Sequence, residues 1–139
     1  MKTLSRTCTV AGCAALLMAL AGATAAHAAD VTVPATGTLL ADGAGVSLSI
    51  TLDCDAGRTA DLFVNVAQKV DGTHIAAGSV ISDTVTCAAG QESVEVALLA
   101  AGDFAFTEGD AAIQILLFTC DTTTCESNTA TGQARLGRN

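Results

Sequence analysis

The sequence predicts an all-β domain, an antiparallel β-sandwich of about seven strands. Three observations predict this class. Apolar and polar residues alternate in several short segments, as they do in strands with one buried face. Turn sequences that contain glycine separate these segments at short intervals. An export signal comes first and leaves an even number of cysteines behind it, which favours a small fold held by disulfides.

Residues 1–28 have the organisation of a secretory signal peptide. The start MKTLSR is basic, an apolar stretch follows, and Ala26-His27-Ala28 ends it with small residues at the two positions that a signal peptidase reads. We therefore expect cleavage after Ala28. Residues 29–139 would then form a single secreted domain, which suits their length.

Two other interpretations of this segment are weaker. Val10-Ala11-Gly12-Cys13 resembles a lipoprotein cleavage box, but most of the apolar region follows Cys13 instead of preceding it. An uncleaved anchor would need about 20 predominantly apolar residues, and alanine and glycine dominate here. We therefore expect no membrane attachment after cleavage.

Charge and composition exclude several classes of partner. Cleavage removes two cations and no acid, so the formal net charge changes from −8 to −10. Such a chain repels nucleic acid and anionic membranes, and we expect it to bind neither. It also has no tryptophan and no tyrosine, the side chains on which sugar-binding domains usually stack their ligands.

Seven segments carry the pattern of strands. They are Val31–Leu40, Val46–Leu52, Leu62–Val66, Ile81–Cys87, Val94–Leu98, Ala111–Cys120 and Thr129–Leu136. The first is interrupted by Pro34, which belongs at an edge or a bend because proline has no amide hydrogen. In the second, apolar residues occupy every second position with serine or threonine between them, so one face is buried and the other solvated.

The later segments repeat this alternation, with one exception. The third and fifth place Asn65 and Glu95 on the solvated face, the fourth keeps its apolar residues on one parity, and the last is more polar. In Ala111–Cys120 both parities are apolar, because Leu116 and Phe118 lie on the other face of the strand from the main apolar row. Such a run predicts a central strand that is covered on both faces, or partly covered by a partner.

The turn sequences between these segments each end in glycine. They are Asp42-Gly43, Ala56-Gly57, Asp71-Gly72, Ala89-Gly90, Ala101-Gly102 and Glu108-Gly109. About seven short antiparallel strands in a chain of this length predict an immunoglobulin-like sandwich. The resemblance is architectural, because the tryptophan and the tyrosine corner of antibody domains are both absent.

The cysteines of the exported chain are Cys54, Cys87, Cys120 and Cys125, and export predicts that all four are paired. Four cysteines allow three pairings. Their spacing favours Cys54–Cys87 with Cys120–Cys125. The main alternative, Cys54–Cys120 with Cys87–Cys125, would give a bridge between sheets like that of antibody domains.

The predicted topology brings candidate binding residues to one end of the sandwich. If strands end at Cys54, Cys87 and Cys120, these strands run parallel and the loops after them meet at the end that binds partners in antibody and fibronectin-type domains. The candidate binding residues on these loops are Asp53, Asp55, Arg58, Asp61, Asp121 and Glu126. The simpler alternative is that the disulfides only fix loose loops.

Catalytic and metal sites have little support in the sequence. A nucleophile needs a base, and after cleavage the one histidine is His74, which follows a turn and is expected to be solvated. One histidine and four paired cysteines do not make a zinc site. The loop acids near Asp53 and near Glu108 lack the ordered spacing of a calcium loop. We therefore expect no enzyme, no catalytic residue, no metal and no cofactor.

Two family resemblances bear on function. The export signal, the paired cysteines and the lysine-poor composition resemble small secreted domains that are common in actinobacteria. Cys120-Asp-Thr-Thr-Thr-Cys125 resembles the short disulfide loop of the neocarzinostatin family, secreted sandwiches that carry a chromophore. The resemblance implies a small-molecule carrier, which would need an apolar pocket. Phe104, Phe106 and Phe118 are the aromatic candidates to line it.

A third resemblance lacks its functional part. Thr51-Leu52-Asp53-Cys54 and Gly72-Thr73-His74 resemble the early segment of secreted subtilisin inhibitors, but the Cys-Pro reactive loop of those inhibitors is missing, since Pro34 is the only proline. The sequence thus predicts a secreted, non-enzymatic binding or interaction module stabilised by two disulfides. Its partner would be a protein or a small molecule, and the scarcity of aromatic residues favours a protein.

Overall fold

A computed structural model describes residues 29–138, and they form an all-β fold, as the sequence predicts. The predicted signal peptide lies outside the described residues. The strands are β1 (Asp30–Thr32), β2 (Thr36–Leu40), β3 (Gly45–Cys54), β4 (Thr59–Lys69), β5 (Ile75–Ile81), β6 (Val85–Thr86), β7 (Gly90–Leu99), β8 (Gly109–Cys120) and β9 (Cys125–Gly137). A short 3₁₀ turn, Ala41–Gly43, joins β2 to β3.

All nine strands share one hydrogen-bonded sheet in the order β1-β3-β2-β9-β8-β4-β5, with β7 on β3 and β6 on β4. β8 is a central strand between β9 and β4, as the two apolar parities of Ala111–Cys120 predict, but its second face is not covered by the fold, since Phe118 there is 41% exposed. The all-β class is confirmed. The immunoglobulin-like sandwich stays a prediction, because the strands form one continuous sheet.

Two features differ from the predicted antiparallel arrangement of about seven strands. The chain bends at Pro34, so the opening segment forms two strands, and the second of them pairs in parallel with β9. The segment Ile81–Cys87 is not one strand. β5 ends at Ile81 because Ser82 leaves the ladder and exchanges hydrogen bonds with the backbone of Leu62.

One core is built from the apolar alternation. Its largest contributions come from alternate residues of β3, β4 and β8, which are Val46, Leu48, Ile50, Leu52, Leu62, Val64, Val66, Ile113, Ile115 and Leu117. Each of these strands therefore turns its other face outward. Among residues 29–138, no helix is long and apolar enough to span a membrane.

The disulfides join Cys54 to Cys87 and Cys120 to Cys125. The favoured pairing is therefore confirmed, and the alternative bridge from Cys54 to Cys120 is wrong. The second disulfide closes the hairpin between β8 and β9, whose ladder begins at the pair Cys120 and Cys125. This pairing explains why β9 begins at Cys125, four residues before the predicted start.

Candidate interaction surfaces

Both disulfides lie at one end of the fold, which we call the disulfide end and which comprises Asp30 and residues 53–61, 82–92 and 119–126. β4 brings the segments of the disulfide end together, because Thr59 pairs with Cys120 on one side and with Thr86 on the other. The amide of Gly57 also donates to the carbonyl of Cys87 at 3.0 Å. The predicted binding residues therefore lie at the same end of the molecule.

Arg58 is the buried member of this set. Its side chain is 7% exposed, and Nη1 donates to Oε2 of Glu126 at 3.0 Å. Nη2 donates to the carbonyl of Thr119 at 3.4 Å, and the carbonyl of Arg58 accepts from the amide of Cys87 at 2.8 Å. The guanidinium thus points into the fold and links its loops. Nothing in the sequence predicts that this charged loop residue is buried.

Asp121 organises the loop between Cys120 and Cys125. Its Oδ1 accepts hydrogen bonds from the amides of Thr123 and Thr124, both at 2.7 Å, and the two threonine hydroxyls donate to the same carboxylate. These donors, the amide of Thr123 foremost, hold the pKa of Asp121 well below its usual range. The carboxylate is therefore largely engaged within its own loop.

The remaining predicted residues are four acids at the same end. Asp53 and Asp55 are exposed, and Glu126 is half-exposed beside Arg58. Asp61 accepts a hydrogen bond from Oγ1 of Thr84 at 2.6 Å and keeps part of its surface open. These four carboxylates reach solvent, as does that of Asp121, which is exposed although it is hydrogen-bonded within its loop.

Charge is segregated along the molecule. The acids of the disulfide end are Asp30, Asp53, Asp55, Asp61, Asp83, Glu92, Asp121 and Glu126. Among residues 29–138, Arg58 is the single cation there, and it is buried. The other three cations, Lys69, Arg135 and Arg138, lie at the opposite end, where the two arginines pair with acids.

A cluster of apolar side chains lies on the outward face beside the disulfide end. We call Phe63, Ile81, Leu116 and Phe118 the apolar patch. Phe63 stands opposite Ile81 on one side and opposite Leu116 on the other, and Phe118 is the next outward residue on β8. Ile81 is 69% exposed and Phe118 is 41% exposed. Directly opposite residues lie about 5 Å apart, which joins Ile81, Phe63 and Leu116, and Phe118 adjoins them as the diagonal neighbour of Phe63, about 7–8 Å away.

The sequence prediction of aromatic lining residues was incomplete. Phe106 is buried in the core, so it does not line an open pocket, and Phe104 lies at the opposite end, stacked on His74 with ring centroids 4.3 Å apart. Only Phe118 of the three stands on the apolar patch. Phe63 also belongs to the patch. Its outward orientation could have been predicted from the sequence, because Phe63 has the same parity on β4 as Asn65.

A shallow hollow of about 310 Å³ lies next to the apolar patch on the same face. Small residues line it, among them Ala67, Ala112 and Gly132, together with the polar side chains of Asn65 and Gln114. The amide of Asn65 donates to Oε1 of Gln114 at 3.4 Å. The outward face thus carries an apolar ridge and an adjoining depression.

His74 is exposed, as predicted, but it has two partners. Its Nδ1 lies 2.5 Å from Oδ2 of Asp71, and its ring stacks on Phe104. The hydrogen bond from His74, with help from the amides of Thr73 and His74, lowers the pKa of Asp71 to about 2. Within residues 29–138, no three histidine, cysteine or acidic side chains lie close enough together to hold a metal ion.

Comparison with known proteins adds no functional guide. No protein-family model matches the chain. No curated protein is detectably similar to it in sequence. The disulfide end and the apolar patch are therefore the features from which a function is inferred.

Proposed function

We propose that the chain is an exported, non-enzymatic binding module that contacts a protein partner through the apolar patch. The observation that carries this proposal is the contiguous row of Phe63, Ile81, Leu116 and Phe118 on the outward face of three neighbouring strands. Contiguous exposed apolar surface on a small protein commonly marks an interaction site. The patch also gives a reason for the two apolar parities of β8.

The chemistry of the patch suits a protein interface. Aromatic side chains are enriched among the residues that contribute most to binding, and they work best where surrounding contacts exclude water. Phe118 and Phe63 stand on paired strands, where their backbones are fixed by the ladder between β4 and β8. A partner would therefore meet a preorganised surface and lose little entropy in ordering it.

The disulfides support an extracellular role. Small domains with two disulfides are typical of oxidising compartments, and the predicted signal peptide agrees with export. Cys120–Cys125 lies two residues beyond Phe118 and Cys54–Cys87 closes the neighbouring loop. Both disulfides therefore stiffen the end of the molecule next to the apolar patch.

A small-molecule carrier is the second candidate, and the hollow beside the patch favours it. Its volume of about 310 Å³ lies at the lower end of the range for ligand sites, about 300–1,000 Å³. The hollow is open, however, and such sites usually bury most of the ligand surface. The protein interface is the stronger proposal for this reason.

Cross-linking from a photo-reactive amino acid placed at two different positions tests the proposal. Benzoylphenylalanine replaces Phe118 in one variant and Phe104 in the other, a matched pair because the two side chains are 41% and 38% exposed. Each variant is irradiated in the extracellular fluid of its own host. The proposal predicts a covalent adduct to a protein from position 118 and none from position 104.

Two outcomes would contradict the proposal. Equal adducts from both positions would show indiscriminate contact, and the absence of any protein adduct from position 118 would remove the protein partner. An adduct to a small molecule at position 118, detected as a defined mass increase, would establish the carrier function instead.

A further inference from the structure

We infer that the partner is a cationic polypeptide, whose apolar side chains contact the apolar patch while its lysine or arginine side chains contact the acids of the disulfide end. This inference rests on the proposed function and adds the chemical class of the partner. It follows from one juxtaposition, the position of Asp61 opposite Phe118 on the outward face, with Asp83 exposed in the loop that follows Ile81.

Asp61 adjoins the patch through the strand register, and Asp83 adjoins it along the chain, in the loop after Ile81. Asp61 stands opposite Phe118 and is the next outward residue before Phe63 on β4. Asp83 is exposed and follows Ile81 by two residues. A carboxylate offers about four acceptor positions, so the one hydrogen bond from Thr84 leaves Asp61 free to accept from an ammonium or guanidinium group.

The field around the patch has one sign. Asp61 and Asp83 border the patch, further acids lie on the loops of the disulfide end, and the one cation among the described residues there, Arg58, is buried against Glu126. A surface lined by one sign of charge concentrates partners of the opposite sign and accelerates their association. An apolar patch beside such a field selects a partner that is both apolar and basic.

Other occupants fit less well. A second copy related by two-fold symmetry would bring the acids of one disulfide end close to those of the other, and like charges at an interface are unfavourable. Nucleic acid and anionic lipid are repelled by the same acids. A neutral apolar ligand would gain nothing from them.

Three synthetic peptides separate the two parts of the inference. One alternates lysine with leucine, the second alternates lysine with serine, and the third alternates glutamate with leucine. Fluorescence anisotropy of each labelled peptide is measured with the oxidised protein at low and at moderate salt. The lysine–leucine peptide is expected to bind about tenfold more tightly than either control, and its binding is expected to weaken as salt is added.

Variants of the protein locate the binding. Leu116→Thr with Phe118→Thr is expected to weaken binding of the lysine–leucine peptide about tenfold, because truncation of central interface residues has effects of this size. Phe104→Thr, the control at the opposite end, is expected to leave it unchanged. If the double variant does not fold, Ile81→Thr on the edge strand β5 replaces it, with a smaller loss of about threefold.

The acids are tested with isosteric amides. Asp61→Asn with Asp83→Asn is expected to weaken binding about fivefold and to reduce its salt dependence. Asp42→Asn with Asp103→Asn, which removes the same charge at the opposite end, is expected to change binding less than twofold. Asparagine keeps an acceptor for Thr84, so the loop contact of Asp61 is retained.

The inference is overturned if the lysine–serine or glutamate–leucine peptide binds as tightly as the lysine–leucine peptide, or if the patch variants leave binding unchanged. A salt-sensitive dimer in sedimentation experiments, lost on Leu116→Thr with Phe118→Thr, would replace the basic partner by a second copy. Failure of this inference can be distinguished from failure of the proposed function. A protein adduct from position 118 together with failure of the peptide tests would retain the interface and reject the cationic partner.

Discussion

Arg58 and Glu126 form an ion pair of 3.0 Å that ties the loop after Cys54 to the strand that begins at Cys125. The arginine is buried, and its backbone carbonyl accepts from the amide of Cys87. One residue therefore connects the regions closed by both disulfides, through its side chain on one side and its backbone on the other. This link fixes the loops that border the apolar patch.

Loss of the Arg58 side chain is expected to destabilise the fold. Arg58→Met should lower the free energy of unfolding by about 2–3 kcal/mol, because it removes a charge-assisted hydrogen bond and leaves Glu126 without its partner. Glu126→Gln keeps a neutral acceptor and should lower it by about 1 kcal/mol. Urea unfolding of both variants measures the difference, and a smaller effect for Arg58→Met than for Glu126→Gln would contradict the structural role of the arginine.

The two disulfides are expected to contribute unequally to stability. Cys54 and Cys87 are separated by 33 residues and Cys120 and Cys125 by 5. The loop-entropy relation gives about 3–4 kcal/mol for the longer loop and about 2 kcal/mol for the shorter one. Paired substitution to alanine, followed by guanidinium unfolding, tests the ranking. A larger loss for the short loop would show that loop entropy does not govern stability here.

Two glycines with positive φ provide a matched pair. At Gly43, a Cβ atom would lie 1.9 Å from the carbonyl oxygen of Phe106, whereas at Gly57 it would meet nothing within 4 Å. Gly57→Ala should cost only the backbone strain, about 1–2 kcal/mol. Gly43→Ala must also displace the backbone around Phe106, and we expect about 3 kcal/mol or more. Equal thermal unfolding midpoints for the two variants would refute the close approach.

The carboxyl group of Asp71 is expected to titrate well below the usual range of an aspartate. Because the folded pKa of Asp71 is lowered to about 2 from 3.8, its stabilising contribution is complete above about pH 4 and is lost as pH falls towards 2. Carbon-detected NMR of the carboxyl group measures this pKa directly. His74→Ala should raise it part of the way, since the amides of Thr73 and residue 74 still donate, and an unchanged pKa would exclude the histidine as the main cause.

Most strands and their buried faces were predictable because alternation reports burial directly, but β5 was missed and the predicted strand Ile81–Cys87 was wrong. Val46 to Leu52 and Ile113 to Leu117 point into the core as their parity indicates. The disulfide pairing was predictable from spacing alone. By contrast, the parallel contact of β2 with β9 depends on where the chain turns after Pro34, and no local pattern encodes that register.

The candidate site was predicted only in part. The acids at the disulfide end are where the sequence places them, but the burial of Arg58 depends on Thr119 and Glu126, which come from distant strands. Phe63 was missed as a surface aromatic because an apolar residue beside Leu62 suggests burial, although it shares the outward parity of Asn65. Only the register with Leu116 and Ile81 shows that it belongs to a larger patch.

Hydroxyl-radical footprinting of the protein in the extracellular fluid of its host, compared with the purified protein, tests the binding surface most directly. Oxidation rates of exposed apolar side chains are read by mass spectrometry. The proposed interface predicts protection of Phe118, Leu116 and Ile81, with unchanged rates at Phe104 and Leu99, which are also exposed. Protection at Phe104 or Leu99, or no protection of the apolar patch, would contradict it.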